Sequence, residues 1–219
     1  MALTTVVFLF AGLVCRRPRG AGIPASTAGS LLGWLKRLGR THAFYGLFVG
    51  IGFSFGWYIL LAAYAIDLFT ARGLTGTEAS TAFGLVGGIS ILSRLGSGYI
   101  ADAVGFRRTF LGSLALAAVG LGLLLAPTRP ALALGICLTG LGLGGTATVY
   151  TPMLLRRFGE DNDTAVIGIF NVGIGIVALA MPPVGTAVIA ATGTYRSGVL
   201  LSLGLSVVAV VTVAVSSRP

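Results

Sequence analysis

The chain reads Gly98-Tyr-Ile-Ala-Asp102-Ala-Val-Gly105-Phe-Arg107-Arg108 at the end of a long apolar run. In physical terms the stretch predicts a helix that ends at Asp102 and a tight turn that needs glycine, followed by two cations. Cations at the end of an apolar run mark the point where a membrane helix meets water. The stretch therefore predicts a short link between two transmembrane helices; the alternative is a plain short basic loop.

The composition around this stretch excludes a soluble domain. Of the 219 residues, 55% are hydrophobic and 10% are charged, and the mean hydropathy is +0.96. No hydrolase, metalloprotease or phosphate-binding motif occurs, so we expect neither an enzyme nor a cofactor. Cys15 and Cys137 lie in or beside apolar stretches and predict neither a disulfide framework nor a metal site.

Six apolar runs are long enough to cross about 30 Å of hydrocarbon as helices. They cover residues 45–68, 79–101, 110–126, 131–155, 165–191 and 199–215. A seventh run, residues 2–14, is too short and predicts part of a helix. The predicted organisation is a partial transmembrane helix at 1–15, a basic cytoplasmic loop at 16–41 and a six-helix bundle at 42–219. This is an all-α transmembrane fold.

The positive charge follows a topology pattern. If the loop at 16–41 is cytoplasmic, that side carries 11 of the 15 basic residues and the opposite loops carry three. The positive-inside rule predicts such a bias, with the carboxyl terminus in the cytoplasm. Because topology accounts for most of the net charge of +9, a nucleic-acid partner is not expected.

The remaining basic residue, Arg94, falls inside a predicted membrane helix. A guanidinium there costs at least about 2.5 kcal/mol on insertion scales and is usually tolerated only at a protein interior or a watery cavity. Gly87, Ser90, Ser97 and Gly98 share its helix face, which would leave the guanidinium open to an anion such as a carboxylate. The alternatives are a structural ion pair and snorkelling to the cytoplasmic surface.

Few other polar residues occur within the predicted helices. Asn171 lies on a face of small residues, and Tyr58 offers a hydroxyl to a cavity, so both join Arg94 and Ser90 as candidate substrate contacts. Glycines at spacings of four predict close helix packing. These pairs are Gly46 and Gly50, Gly52 and Gly56, Gly84 and Gly88, and Gly140 and Gly144.

The opening stretch resembles motif A of the major facilitator superfamily, G-x-x-x-D-x-x-G-x-R-R, in the copy that follows the eighth helix of twelve. The resemblance makes Gly98, Asp102, Gly105, Arg107 and Arg108 a conformational motif. It also implies helices seven to twelve as two sets of three, preceded by a stub of helix six.

Residues 56–195 resemble the monocarboxylate transporters and the oxalate/formate antiporters. The resemblance lies in the segments at 64–67, 72–79, 87–98, 182–185 and 192–195. In those families an Arg on helix eight contacts the substrate carboxylate, and Arg94 matches it. Ser90 stands where monocarboxylate transporters commonly carry Asp, so the resemblance does not imply proton coupling, and helix eleven lacks the additional basic residue of oxalate carriers. The resemblance thus implies a small monoanion as substrate.

Together these features predict the carboxy-terminal half of a secondary transporter in the plasma membrane. Its expected partners are a small organic anion, the lipid bilayer, and a missing amino-terminal half or a second copy of the chain, since alternating access needs a site between two bundles. The alternatives are a non-transporting assembly partner and an inactive truncated fragment.

Overall fold

The computed structural model describes residue 33, residues 38–158 and residues 163–217, and within them it is all helical. The predicted partial helix at 2–14 and most of the basic loop at 16–41 lie outside the described residues. The chain divides into two compact units, Met1–Leu38 and Gly39–Pro219, and the six helices all belong to the second. In chain order they are α1 His42–Ala71, α2 Gly76–Val104, α3 Phe106–Leu123, α4 Arg129–Phe158, α5 Asp163–Thr192 and α6 Tyr195–Ser216.

All six helices are long and apolar enough to cross a membrane, which confirms the predicted fold class. Most extend beyond the apolar runs, and polar residues cap the start of two of them. At the start of α2, Thr75 accepts a hydrogen bond from the Glu78 backbone, and Glu78 accepts one in return from the Thr75 backbone. Thr194 caps α6 by accepting from the Arg196 backbone at 3.2 Å.

A single residue, Gly105, joins α2 to α3. Its φ of +95° lies in a region that other residues rarely adopt, which confirms the predicted requirement for glycine at the turn. The expected helix end at Asp102 was wrong by two residues. α2 continues to Val104, because a glycine with positive φ, not the aspartate, ends its hydrogen-bonding pattern.

The packing repeats between the first three helices and the last three. α4 packs on α2 and α3, and α1 packs in the corresponding way on α5 and α6. α1 and α4 are the most buried helices, whereas α2 and α5 are among the least buried and present large exposed side chains such as Leu95 and Leu179. This is the arrangement expected of two sets of three, with α1 and α4 at the centre.

Glycines allow the central helices to approach their neighbours. A Cβ built on Gly140 would lie 2.8 Å from the carbonyl oxygen of Val86, and one on Gly144 would lie 2.6 Å from Ser93 Cβ. The order of these contacts shows that α2 and α4 run parallel. The glycine pairs of α1 likewise face α5 and α6.

The packing predicted for Gly84 and Gly88 is not found among the described residues. A Cβ at either position meets no described atom within 4 Å, because both glycines lie on the side of α2 that faces away from α4. Identical spacing in the sequence therefore does not show which helix faces meet.

Hydrogen bonds between helices reinforce these contacts. The hydroxyls of Tyr64 on α1 and Ser202 on α6 lie 2.9 Å apart, and Ser93 on α2 donates to the carbonyl of Leu141 on α4 at 2.6 Å. Such bonds between membrane helices contribute about 0.6 to 2 kcal/mol each. They hold the flanking helices in register with the central ones.

Candidate functional site

A polar and aromatic cluster joins three helices at the side of the bundle where α1, α4 and α5 meet. Tyr150 on α4 donates a hydrogen bond to Asn171 Oδ1 on α5 at 3.4 Å, near the outer limit for such a bond. Its ring packs edge-on against Phe55 of α1, with ring centroids 5.1 Å apart. We call these three residues the Tyr150 cluster. Asn171 is exposed, so the amide remains accessible beside the bond.

Tyr58 lies one helical turn after Phe55 on α1 and is half-buried. Its ring packs edge-on against Trp57 at 5.9 Å and against the apolar core. Within the described part of the chain, its hydroxyl has no hydrogen-bond partner. The phenol hydroxyl is therefore available to donate and to accept a hydrogen bond. It lies on α1, the helix that also contributes Phe55 to the Tyr150 cluster.

Arg94 lies on the exposed part of α2. Its guanidinium forms neither a hydrogen bond nor an ion pair with any residue in the described ranges, although its carbonyl accepts from Ser97 Oγ at 3.2 Å. The position is residue 19 of the 29 in α2, about 6 Å from the helix centre. The structural ion pair considered from the sequence is thus absent among the described residues.

Arg94 and the Tyr150 cluster lie at similar depths in the bundle. α2 and α4 run parallel, and Gly144 on α4 contacts Ser90 and Ser93 on α2. Positions along the two helix axes can therefore be compared by counting residues from this contact. Tyr150 is six residues beyond Gly144, and Arg94 is one residue beyond Ser93. The two side chains therefore start within about five residues, or 7.5 Å along the helix axes, of the same level.

Ser90 has a different environment from the other candidates. It is 4% exposed, it packs against Gly144 of α4, and its hydroxyl donates to the Gly87 carbonyl of its own helix at 2.7 Å. The hydroxyl is therefore already used, and Ser90, one helical turn before Arg94, lies in the contact between α2 and α4 instead of at a surface open to substrate.

The motif residues gather at the end of the bundle that carries Arg107, Arg108, Arg156 and Arg157, which we call the basic end. Arg107 donates to Ser217 Oγ at 2.7 Å and to the Ala214 carbonyl at 2.9 Å, so it ties the start of α3 to the end of α6. Arg156 lies over the ring of Phe106, 4.2 Å from its centroid.

Arg108, in contrast, is exposed, as is Asp102. Neither side chain forms a hydrogen bond or ion pair with the rest of the described chain. A Cβ built on Gly98 meets nothing within 4 Å in the described chain, so packing among these residues does not require a glycine there. The two adjacent arginines of the motif thus have different environments.

Sequence reasoning missed Tyr150. The residue follows a long apolar and glycine-rich run, and nothing in its spacing distinguishes it from tyrosines that only fill the core. The available signal was its position near the basic end of a central helix, close to Thr148 and Thr151. Only the packing of α1 and α5 around α4 brings it to Asn171.

The family model described as Major Facilitator Superfamily matches residues 46–219, which is most of the chain and all but the first turn of the bundle. No curated protein matches the chain.

Proposed function

The chain belongs to the Major Facilitator Superfamily, a family of membrane transporters, and from this premise we propose that it carries a small organic monoanion. Membership places the chain among multi-pass transporters of small substrates rather than among enzymes. The observation that supports an anion is Arg94, an exposed guanidinium within a membrane helix and without a partner in the described chain.

Arg94 is proposed to hold the substrate carboxylate. A guanidinium offers two parallel N–H donors that match the two oxygens of a carboxylate, and such charge-assisted bonds are stronger where water is scarce. One fixed cation without a nearby described carboxylate suits a monoanion better than a dianion. Ser90 would act by packing, since its position against Gly144 sets the distance between α2 and α4.

Tyr58 and Asn171 are proposed to bind the rest of the substrate. The free hydroxyl of Tyr58 and the exposed amide of Asn171 can each donate and accept hydrogen bonds. Tyr150 joins this proposal because its bond to Asn171 fixes the direction of the amide. The apolar edge of Phe55 would contact the carbon chain of a short organic acid.

Transport by alternating access would need a second bundle facing this surface. α2 and α5 leave surface available for such a bundle, because Leu95 and Leu179 are 77% and 81% exposed. The second bundle would be an amino-terminal half or another copy of the chain. Cross-linking of two differently tagged copies of the chain in the membrane distinguishes them, since only a dimer gives a band that carries both tags.

The test is ligand binding by the purified chain in detergent, measured by calorimetry with lactate as the monoanion and oxalate as the dianion. We expect lactate to bind and Arg94→Ala to weaken its binding about tenfold or more, the usual effect of losing a hydrogen bond to a charged group. Arg94→Lys should bind with intermediate affinity, because it keeps the charge and loses the planar fork.

Arg129→Ala is the matched control, since Arg129 is an exposed arginine at the start of α4, far from the Arg94 level. It should bind lactate as the unmodified chain does. Equal binding by the Arg94 and Arg129 variants would refute the assignment of Arg94. Absence of binding to either acid would favour the non-transporting alternative.

A further inference from the structure

A groove runs along the outside of the bundle between α2 and α3, with α4 at its base. Its volume is about 600 Å³, and Arg94, Tyr58 and Asn171 are not among the residues that line it. Leu92, Ile100 and Leu116 form exposed apolar walls. The groove is thus separate from the surface proposed for the substrate.

Two glycines leave the middle of this groove empty. Gly96 on α2 and Gly112 on α3 both line it, and a Cβ built on either meets no atom of the described residues within 4 Å. Neither glycine is required by close helix contact or by a positive φ. Their missing side chains therefore create space rather than allowing two helices to approach.

One cation lies at the basic end of the groove. Arg108 lines it, is exposed, and has no bonded partner within the described residues, whereas the neighbouring Arg107 is bound to α6. The described residues that line the groove include no carboxylate, and Asp102 is not among them. The groove thus combines an apolar channel with a single available guanidinium at one end.

From this arrangement we propose that the groove binds an anionic phospholipid. One acyl chain would lie along Leu92, Gly96, Ile100 and Gly112, and the phosphate would contact Arg108. An arginine fork is well matched to phosphate oxygens, and the orientation that the basic residues predict puts Arg108 at the anionic cytoplasmic leaflet.

The length of the groove is close to the thickness of the hydrocarbon layer of one leaflet. From Val104 to Leu92 the α2 wall extends twelve residues, or about 18 Å, and half of the hydrocarbon core is about 15 Å thick. A lipid whose phosphate lies at Arg108 would therefore place its acyl chain along the whole length of the wall.

The test is native mass spectrometry of the full purified chain with phosphatidylglycerol or phosphatidylcholine of identical acyl chains. We expect preferential binding of phosphatidylglycerol. Arg108→Gln should reduce that preference about fivefold, the effect of one basic residue near an anionic surface. Gly112→Phe, which fills the groove, should reduce the binding of both lipids.

Gly96→Leu is a second variant that fills the same space from α2, and thermal unfolding checks that each variant is folded. Gly84→Phe is the matched control, because Gly84 has equally open surroundings outside the groove. Arg129→Gln is the control for charge.

Equal binding of the two lipids by the unmodified chain would overturn the proposal. So would lipid binding that survives both groove-filling variants and falls only in Arg108→Gln, since the headgroup would then bind the surface without the groove. Arg94 is intact in every variant, so either result is independent of the lactate experiment.

Discussion

Trp57 is the largest fully buried side chain of the bundle and lies on the central helix α1. Its indole Nε1 has no hydrogen-bond partner in the described part of the chain. An unsatisfied buried donor costs about 1 to 3 kcal/mol, yet the ring fills a large share of the core beside Leu60 and Leu61. Burial of the large ring therefore stabilises the fold, whereas the unsatisfied indole N–H destabilises it.

We predict that Trp57→Phe changes the free energy of unfolding by about 1 kcal/mol or less. The variant removes the unsatisfied donor while it loses part of the ring volume, and these effects oppose each other. Trp57→Ala should lose about 3 to 5 kcal/mol, because it leaves a cavity. Unfolding in mixed micelles measures both. A phenylalanine variant as unstable as the alanine variant would mean that the indole N–H has a partner.

At the scale of the helices, glycines of identical spacing have opposite roles. We predict that Gly144→Ala destabilises the bundle by about 1 to 3 kcal/mol, because the added Cβ overlaps the Ser90 carbonyl and forces α2 away from α4. Gly84→Ala is the control and should be neutral or stabilising by up to about 1 kcal/mol, since alanine favours helix and meets open space.

Thermal unfolding in detergent compares the two variants, and loss of stability in Gly84→Ala equal to that in Gly144→Ala would contradict the assigned packing. The hydrogen bond from the Ser93 hydroxyl to the Leu141 carbonyl crosses the same contact between α2 and α4. If α2 moves away from α4, cysteine pairs across this contact should cross-link less efficiently in Gly144→Ala.

The helices and the turn at Gly105 could be predicted because length, apolarity and glycine conformation are local properties. The contacts between helices could not be predicted equally well. α2 is apolar on most of its circumference, so the sequence does not distinguish the face that carries Gly84 from the face that meets Gly144. For the same reason the sequence did not predict the role of Tyr150, because its bond to Asn171 depends on how α4 and α5 pack.

At the scale of the whole molecule, the distribution of arginines predicts one orientation in the membrane. In a chain without Cys15 and Cys137, we predict that Thr128→Cys reacts with an impermeant maleimide in intact cells. Ala103→Cys, at the basic end of α2, should react only after permeabilisation. Both positions are exposed, so burial does not account for a difference between them. The reverse labelling pattern would show that the basic end faces outward.

The single-residue link at Gly105 limits how the molecule can move. Neighbouring Cα atoms are 3.8 Å apart, so the last residue of α2 and the first of α3 can never be more than about 7.6 Å apart. Any displacement of the Arg94 helix along the membrane normal must pull α3 with it, and through Arg107 it pulls the end of α6. α2, α3 and α6 are therefore mechanically coupled, so a force applied to one of them is transmitted to the other two.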